Sequence, residues 1–217
     1  MIQTLSHSIH LTTAEQVAYA VRQEIINGKL AAGAPIRQEE LAAAHSVSRM
    51  PVREALRLLE AEGLVTIYPG RGTFVNRPTP QDIREIYEIR ILLECDAIGR
   101  AIPNLSRGAL GTAEDIYDAM STATDGTTFG QLDVQFHTTL YTPSQRPRLL
   151  QLITTLRNQV TQALYSTAPL NTFGPIAQPE HRAILDACHA GDADTAVAAV
   201  RTHLTSSANY VSNIWQT

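Results

Sequence analysis

At 217 residues the chain is long enough for one large domain or two modest ones, and with 44% hydrophobic and 18% charged residues its composition is globular, not disordered. Two cysteines, Cys95 and Cys188, exclude a disulfide-dense secreted scaffold and a Cys-based zinc finger, and no run approaches the ~18 consecutive apolar residues of a membrane span. The net charge of −4 argues against nucleic acid until its distribution is read: residues 1–77 hold eight basic and seven acidic side chains, and residues 78–217 nine and fourteen.

Sixteen of the seventeen cations are Arg, the side chain suited to bidentate recognition of phosphate, carboxylate or guanine. The opening MIQTLSHSIH has no basic stretch followed by an apolar core, so no secretory signal is expected, and the cytoplasm is the expected location.

Thr12 with Glu15 three residues later is a capping-box pattern, and Val17, Val21 and Ile25 follow at helical spacing before Gly28. After the turn Ala32-Gly33-Ala34-Pro35 comes a short helix, Gln38 to Ala44, and then a tight turn, His45-Ser46-Val47. Ser48 is expected to cap a third helix that carries Pro51 in its first turn, with Val52, Ala55, Leu56 and Leu59 inward and Gly63 at its end. The period then changes to two: Leu64–Tyr68 and Thr73–Val75 read as strands around the turn Pro69-Gly70-Arg71-Gly72. Helix, helix, turn, helix, hairpin is the order of a winged helix-turn-helix, with the motif itself at about 37–57.

Asn76 to Pro80 reads as a short stiff connection, and Thr79, Pro80 and Asp82 start a new helix. Beyond it the chain reads as about six helices, near 80–102, 107–123, 128–141, 146–166, 179–190 and 192–215. The expected fold is mainly α: residues 1–77 a DNA-binding domain with a small hairpin, residues 78–217 an antiparallel all-α bundle.

Arg49, Arg53 and Arg57 recur at four-residue spacing and share one face of the Ser48-capped helix. Arg at the start of such a helix suits guanine O6 and N7 in the major groove. The wing supplies Arg71 between Gly70 and Gly72, two glycines that let its backbone approach the minor groove or the sugar-phosphate strand closely. The run RQEELAAAHSVSRMPVREALRLLEAEGLVTIYPGRGTFV resembles the DNA-binding domain of the GntR family of bacterial transcription regulators over residues 12–76. The resemblance implies operator contacts by Arg49 and Arg53 and wing glycines against the backbone. Arg37 and Gln38 are further candidates for phosphate contact, and Glu54 and Glu62 read as structural partners.

In the later helices polar residues fall in apolar stripes. Asp133 and His137 lie one turn apart among Phe129, Leu132, Phe136 and Leu140; His181 is in register with Ile184, Leu185 and Cys188, and His203 with Ala196, Val200 and Leu204. A single such histidine reads as an ordinary core residue, but an unpaired buried carboxylate is expensive. Three histidines and one carboxylate together suit a divalent metal such as zinc or nickel, with positions open for water or a ligand oxygen. His189 reads as solvated.

The words Leu132-Asp133-x-x-Phe136-His137, Glu180-His181-x-x-Ile184-Leu185 and Arg201-x-His203-Leu204 resemble the metal-containing branch of the FadR subgroup of that family. The resemblance implies a metal on Asp133, His137, His181 and His203 with a small carboxylate beside it. One departure is Arg146-Pro147, where the family usually has Asn-Pro. Arg90, with Glu94 one turn on, reads either as a buried pair holding the helix or as an effector site in which Arg90 forks onto a ligand carboxylate.

The expectation is thus a homodimeric operator-binding regulator, a repressor modulated by a small organic acid. A metal-dependent hydrolase and a sensor of the ion itself are the alternatives. The hydrolase lacks a general base at recognisable spacing and leaves the Arg-faced helix-turn-helix unexplained.

Overall fold

The computed structural model describes residues 11–167 and 170–214, with side chains described outside 162–172 and 214. The chain divides into two compact units, one up to Arg77 and one from Pro78 onward. The first unit holds α1 (Thr13–Ile26), β1 (Pro35–Ile36), α2 (Gln38–Ala44), α3 (Arg49–Ala61), β2 (Val65–Tyr68) and β3 (Gly72–Val75). Thr12 and Glu15 form the full capping box of α1: each side chain takes up a backbone N–H that the helix start would leave unpaired. Val17, Val21 and Ile25 of α1 meet Val52, Ala55, Leu56 and Leu59 of α3 in one core. Complete burial of a leucine such as Leu56 or Leu59 is worth about 1.5–3 kcal/mol, enough to fix α3 against α1.

Two local expectations change here. Pro35, read as the end of a turn, and Ile36, assigned to no element, pair with Phe74 and Thr73, giving an antiparallel three-stranded sheet in the order β1-β3-β2. Two residues are too few to display a strand period, so only the partner reveals them. Ser48 does occupy the N-cap position of α3, with extended backbone, but its side chain makes no capping hydrogen bond. In the wing, Gly70 and Gly72 have φ of +74° and +105°, and a Cβ at either would meet nothing within 4 Å. It is therefore backbone conformation, not space, that calls for glycine at these positions.

The second unit is built from α4 (Pro80–Ala101), α5 (Arg107–Ser121), α6 (Gly126–Tyr141), α7 (Pro147–Thr167), α8 (Leu170–Ala190) and α9 (Ala193–Ile214), with 3-10 turns at Ile102–Asn104 and Thr142–Ser144. Thr79 and Asp82 make a second capping box, Pro80 fills the first position of α4, and Asp125 caps α6 through Thr128 N–H. Helix α4 packs along α9, and α9 along α8; α7 and α6 also lie against α4. Between α8 and α9 the reversal takes two residues. Asp192 N–H bonds Ala187 O across the helix end, and the Asp192 carboxylate then accepts from Thr195 N–H to open α9.

Helix α8 begins at Leu170 rather than near 179 and runs through Pro175 and Pro179. Each proline removes one helical hydrogen bond, yet Phe173, Ala177, His181 and Ile184 recur on one fully buried face. Their packing offsets the loss and carries the helix about two turns further back.

Candidate functional site

On the first unit, α3 turns its apolar residues inward and leaves Arg49, Arg53 and Arg57 exposed along one side. Ser48 lies exposed at the N-terminus of that helix, whose first-turn N–H groups its side chain does not occupy; such a terminus favours phosphate. Arg49 Nη2 sits 2.9 Å from Glu39 Oε1, and Arg37 Nη1 donates to Glu40 Oε1 at 3.0 Å. Both pairs are mostly exposed, so each is worth only about 0.2–1 kcal/mol and yields readily to a competing anion. Gln38 opens α2 half-buried, and Arg71 is exposed at the tip of the wing between Gly70 and Gly72. Glu62 is a structural partner: both its oxygens receive Arg22 of α1, at 2.5 and 2.7 Å.

In the second unit Asp133 and His137 of α6, His181 of α8 and His203 of α9 converge, all buried, with ligand atoms within 4.8 Å of one another. Each imidazole is held from behind at Nδ1: His137 by the Tyr141 hydroxyl at 3.1 Å, His181 by Gln178 Oε1 at 3.4 Å and His203 by Glu180 Oε2 at 3.0 Å. A carboxylate only accepts, so His203 donates from Nδ1 and turns the lone pair of Nε2 inward; an amide oxygen imposes the same on His181. Outer partners of this kind are what orient metal-bound histidines.

The inward atoms do not satisfy each other. His181 Nε2 lies 3.1 Å from Asp133 Oδ1 but forms no full hydrogen bond with it or with another of the described residues. His137 Nε2 is 3.6 Å from the same oxygen. Burial drives the His137 imidazolium down to about 3, against the pull of Asp133, and lowers His181 too, with His203 adding to the effect. Burial alone would raise Asp133, but His137 and His181 hold it well below the carboxylate range. His137 and His181, both resistant to protonation, the ionised Asp133 carboxylate and His203, with ligand atoms within 4.8 Å of one another, fit a divalent cation.

A cavity opens beside these ligands, lined by Tyr87, Arg90, Asp133, Arg157, Thr161 and His203 among others. Arg90 is 5% exposed; its Nε donates to Glu94 Oε1 at 2.8 Å, while Arg157 Nη2 donates to Glu94 Oε2 at 3.1 Å. Burial would push Glu94 up, but the two guanidinium groups outweigh it and hold the carboxyl at about 2. The Tyr141 hydroxyl behind His137 also faces Glu94, so metal ligand and arginine pair share one buried network.

Arg90 is thus paired with Glu94, as the first of its two readings has it, and it also lines the cavity. Glu94, expected as an effector contact, spends its oxygens on the two arginines and does not line the cavity. Arg157 escaped the sequence reading, although it stands four residues after Ile153 and three before Val160, both buried. That is the same signature, a cation within an apolar stripe, that singled out Arg90. His189, expected to be solvated, is exposed, and its Nε2 also meets Glu114 Oε2 at 2.9 Å.

An Arg-faced winged helix-turn-helix followed by an all-helical unit with a buried polar cluster defines a ligand-responsive transcription regulator. Residues 13–75 match the family model of bacterial regulatory proteins, gntR family, and residues 85–206 match the FCD domain. The chain belongs to the GntR family, with the FCD architecture of its FadR subgroup. It is similar to a Paenarthrobacter nicotinovorans protein named "Probable D-xylose utilization operon transcriptional repressor", at 33% identity over 199 residues, 89% of this chain and 86% of the relative. The gluconate operon transcriptional repressor of Bacillus subtilis is 33% identical over 132 residues, 59% of this chain and 54% of that one. Among solved structures, a GntR regulator from Rhodococcus sp. RHA1 superposes with a TM-score of 0.81 at 28% identity, covering 91% of this chain and 96% of the other. Among the described residues no helix is long and apolar enough to cross a membrane.

Proposed function

We propose that this regulator is a cytoplasmic, non-enzymatic repressor that binds a pseudopalindromic operator as a homodimer and releases it when a small carboxylate enters the cavity of the second unit. One α3 reads only a few base pairs, too few to single out a site in a genome, and a two-fold axis doubles them. Ser48, Arg49, Arg53 and Arg57 on α3, Arg37 and Gln38 on α2, and Gly70, Arg71 and Gly72 on the wing form the contact surface. Repression accords with the named roles of the two repressor relatives.

Asp133, His137, His181 and His203 would hold one divalent ion, zinc or nickel being the best suited to the donor set. When bound, that ion supplies a positive centre with open positions for a carboxylate oxygen. Arg90 then takes a second oxygen of the same acid. The observation that carries the reading is the shared cavity: a guanidinium and the inward faces of Asp133 and His203 line one space. Its other charged side chains are donors rather than bases, which suits holding an anion rather than activating water.

Asn76 is bound into the sheet through Leu64 O and Gly63 O, and Thr79 caps α4, so the connection passes directly from the wing to the helix bearing Arg90. The acid must prefer one arrangement of the recognition helices over another; a coupling of about 1–3 kcal/mol would shift operator affinity about 5–150-fold. The test is a thermal-shift screen of small carboxylates on metal-loaded protein, followed by operator binding with and without the hits and with the metal chelated. Operator release by the metal alone would make the ion the effector, and turnover of an acid would make the protein an enzyme.

A further inference from the structure

The cavity holds polar groups that a carboxylate shared between the metal and Arg90 leaves unused. Arg157 is 5% exposed, and although its Nη2 bonds Glu94, its Nε–H is buried without a hydrogen-bond partner among the described residues. The Tyr87 hydroxyl, on a ring 1% exposed with the Arg90 guanidinium over it at 4.6 Å, can accept from Arg90, but its own proton has no acceptor among the described residues. Both residues line the cavity. Buried donors are almost always matched by an acceptor, and two unmatched ones bordering one space mark the place of an acceptor from outside the chain.

The charges point the same way. Arg90 and Arg157 share a single counter-ion, Glu94, which leaves one positive charge over. A divalent ion facing Asp133 leaves another. An occupant with two negative charges matches both, whereas a monoanion leaves a buried cation uncompensated. The groups also approach from different helices: Tyr87 and Arg90 from α4, Asp133 from α6, Arg157 from α7 and His203 from α9.

We infer that the effector is a compact dicarboxylate, one carboxylate held at the metal and Arg90, the other accepting from Arg157 Nε and the Tyr87 hydroxyl. This rests on the acid-beside-metal reading and narrows it. The test is calorimetric titration of the metal-loaded full chain with malonate, succinate and glutarate, each against the monocarboxylate of equal carbon count, propionate, butyrate and valerate.

At least one dicarboxylate binds about 10–100-fold tighter than its counterpart, the worth of hydrogen bonds to a charged group. Tyr87→Phe removes a hydroxyl that donates to no described residue, so it stays close to the wild-type melting temperature without ligand while narrowing that preference. Arg157→Lys keeps the charge facing Glu94 and narrows it further. Equal binding of the two series, or a preference untouched in both variants, overturns the dicarboxylate assignment and leaves the acid-beside-metal reading standing. Failure of all these acids to bind overturns both.

Discussion

Glu94→Gln tests the buried network most directly. Glu94 is 0% exposed and is the shared counter-ion of Arg90 and Arg157. Its carboxyl titrates at about 2 when folded against an ordinary 4.5, a difference worth about 3 kcal/mol. Breaking a buried ion pair by neutralising one partner costs a similar ~3–5 kcal/mol. For a chain of this size about 3 kcal/mol lowers the melting temperature by about 6–12 °C.

The sign with pH follows from the same values. The folded carboxyl is the more acidic, so the unfolded chain binds the proton first. The stabilisation is complete above about pH 4.5 and is lost as pH falls through about 2. Calorimetric melts of wild type and Glu94→Gln should therefore differ by a constant amount near neutrality and converge below about pH 4.5. A variant that melts with wild type at neutral pH would refute the argument, as would a gap that does not narrow in acid.

Arg49→Ala and Arg53→Ala should each weaken operator binding by about 1–3 kcal/mol and relax base preference at one position per half-site, read by gel shift against operator variants. Replacing His137, His181 or His203 with Ala should lower both the metal content by elemental analysis and the melting temperature, because the remaining ligands stay buried without a partner. Arg90→Lys retains a charge facing Glu94 but loses the fork, so it should keep metal and operator binding while the acid no longer releases the operator; an unchanged response to acid would make Arg90 a packing residue only.

What the sequence disclosed was largely what neighbouring residues decide among themselves. The capping boxes Thr12–Glu15 and Thr79–Asp82 are three-residue devices, and both form as their spacing implies. The Arg49, Arg53 and Arg57 face needs only the helical period. The four inward residues could be read because they sit in three apolar stripes, Asp133 and His137 sharing one, and the structure brings them together.

The rest depends on partners distant in the chain. Pro35 and Ile36 become a strand only against Thr73 and Phe74. Pro175 and Pro179 look like helix starts until the buried face through Phe173, Ala177 and His181 outweighs them. Glu94 changes from a ligand contact to a counter-ion because Arg157, 63 residues on, reaches its second oxygen. Glu180, which stands next to His181, serves His203 on another helix instead.

The three groups behind the imidazoles differ in kind: a phenol, an amide and a carboxylate. Each pushes electron density onto its ring to a different degree, the Glu180 carboxylate most strongly. A lineage can therefore retune the centre's ion preference by exchanging Gln178 or Glu180 while every coordinating position stays as it is. Tyr87 and Arg157, the groups proposed to read the acid, are not among these three supports, and of the three only Tyr141 reaches Arg157, through Glu94. On the proposed reading, exchange of Gln178 or Glu180 would alter the choice of ion while leaving Tyr87 and Arg157, and with them the choice of acid, in place.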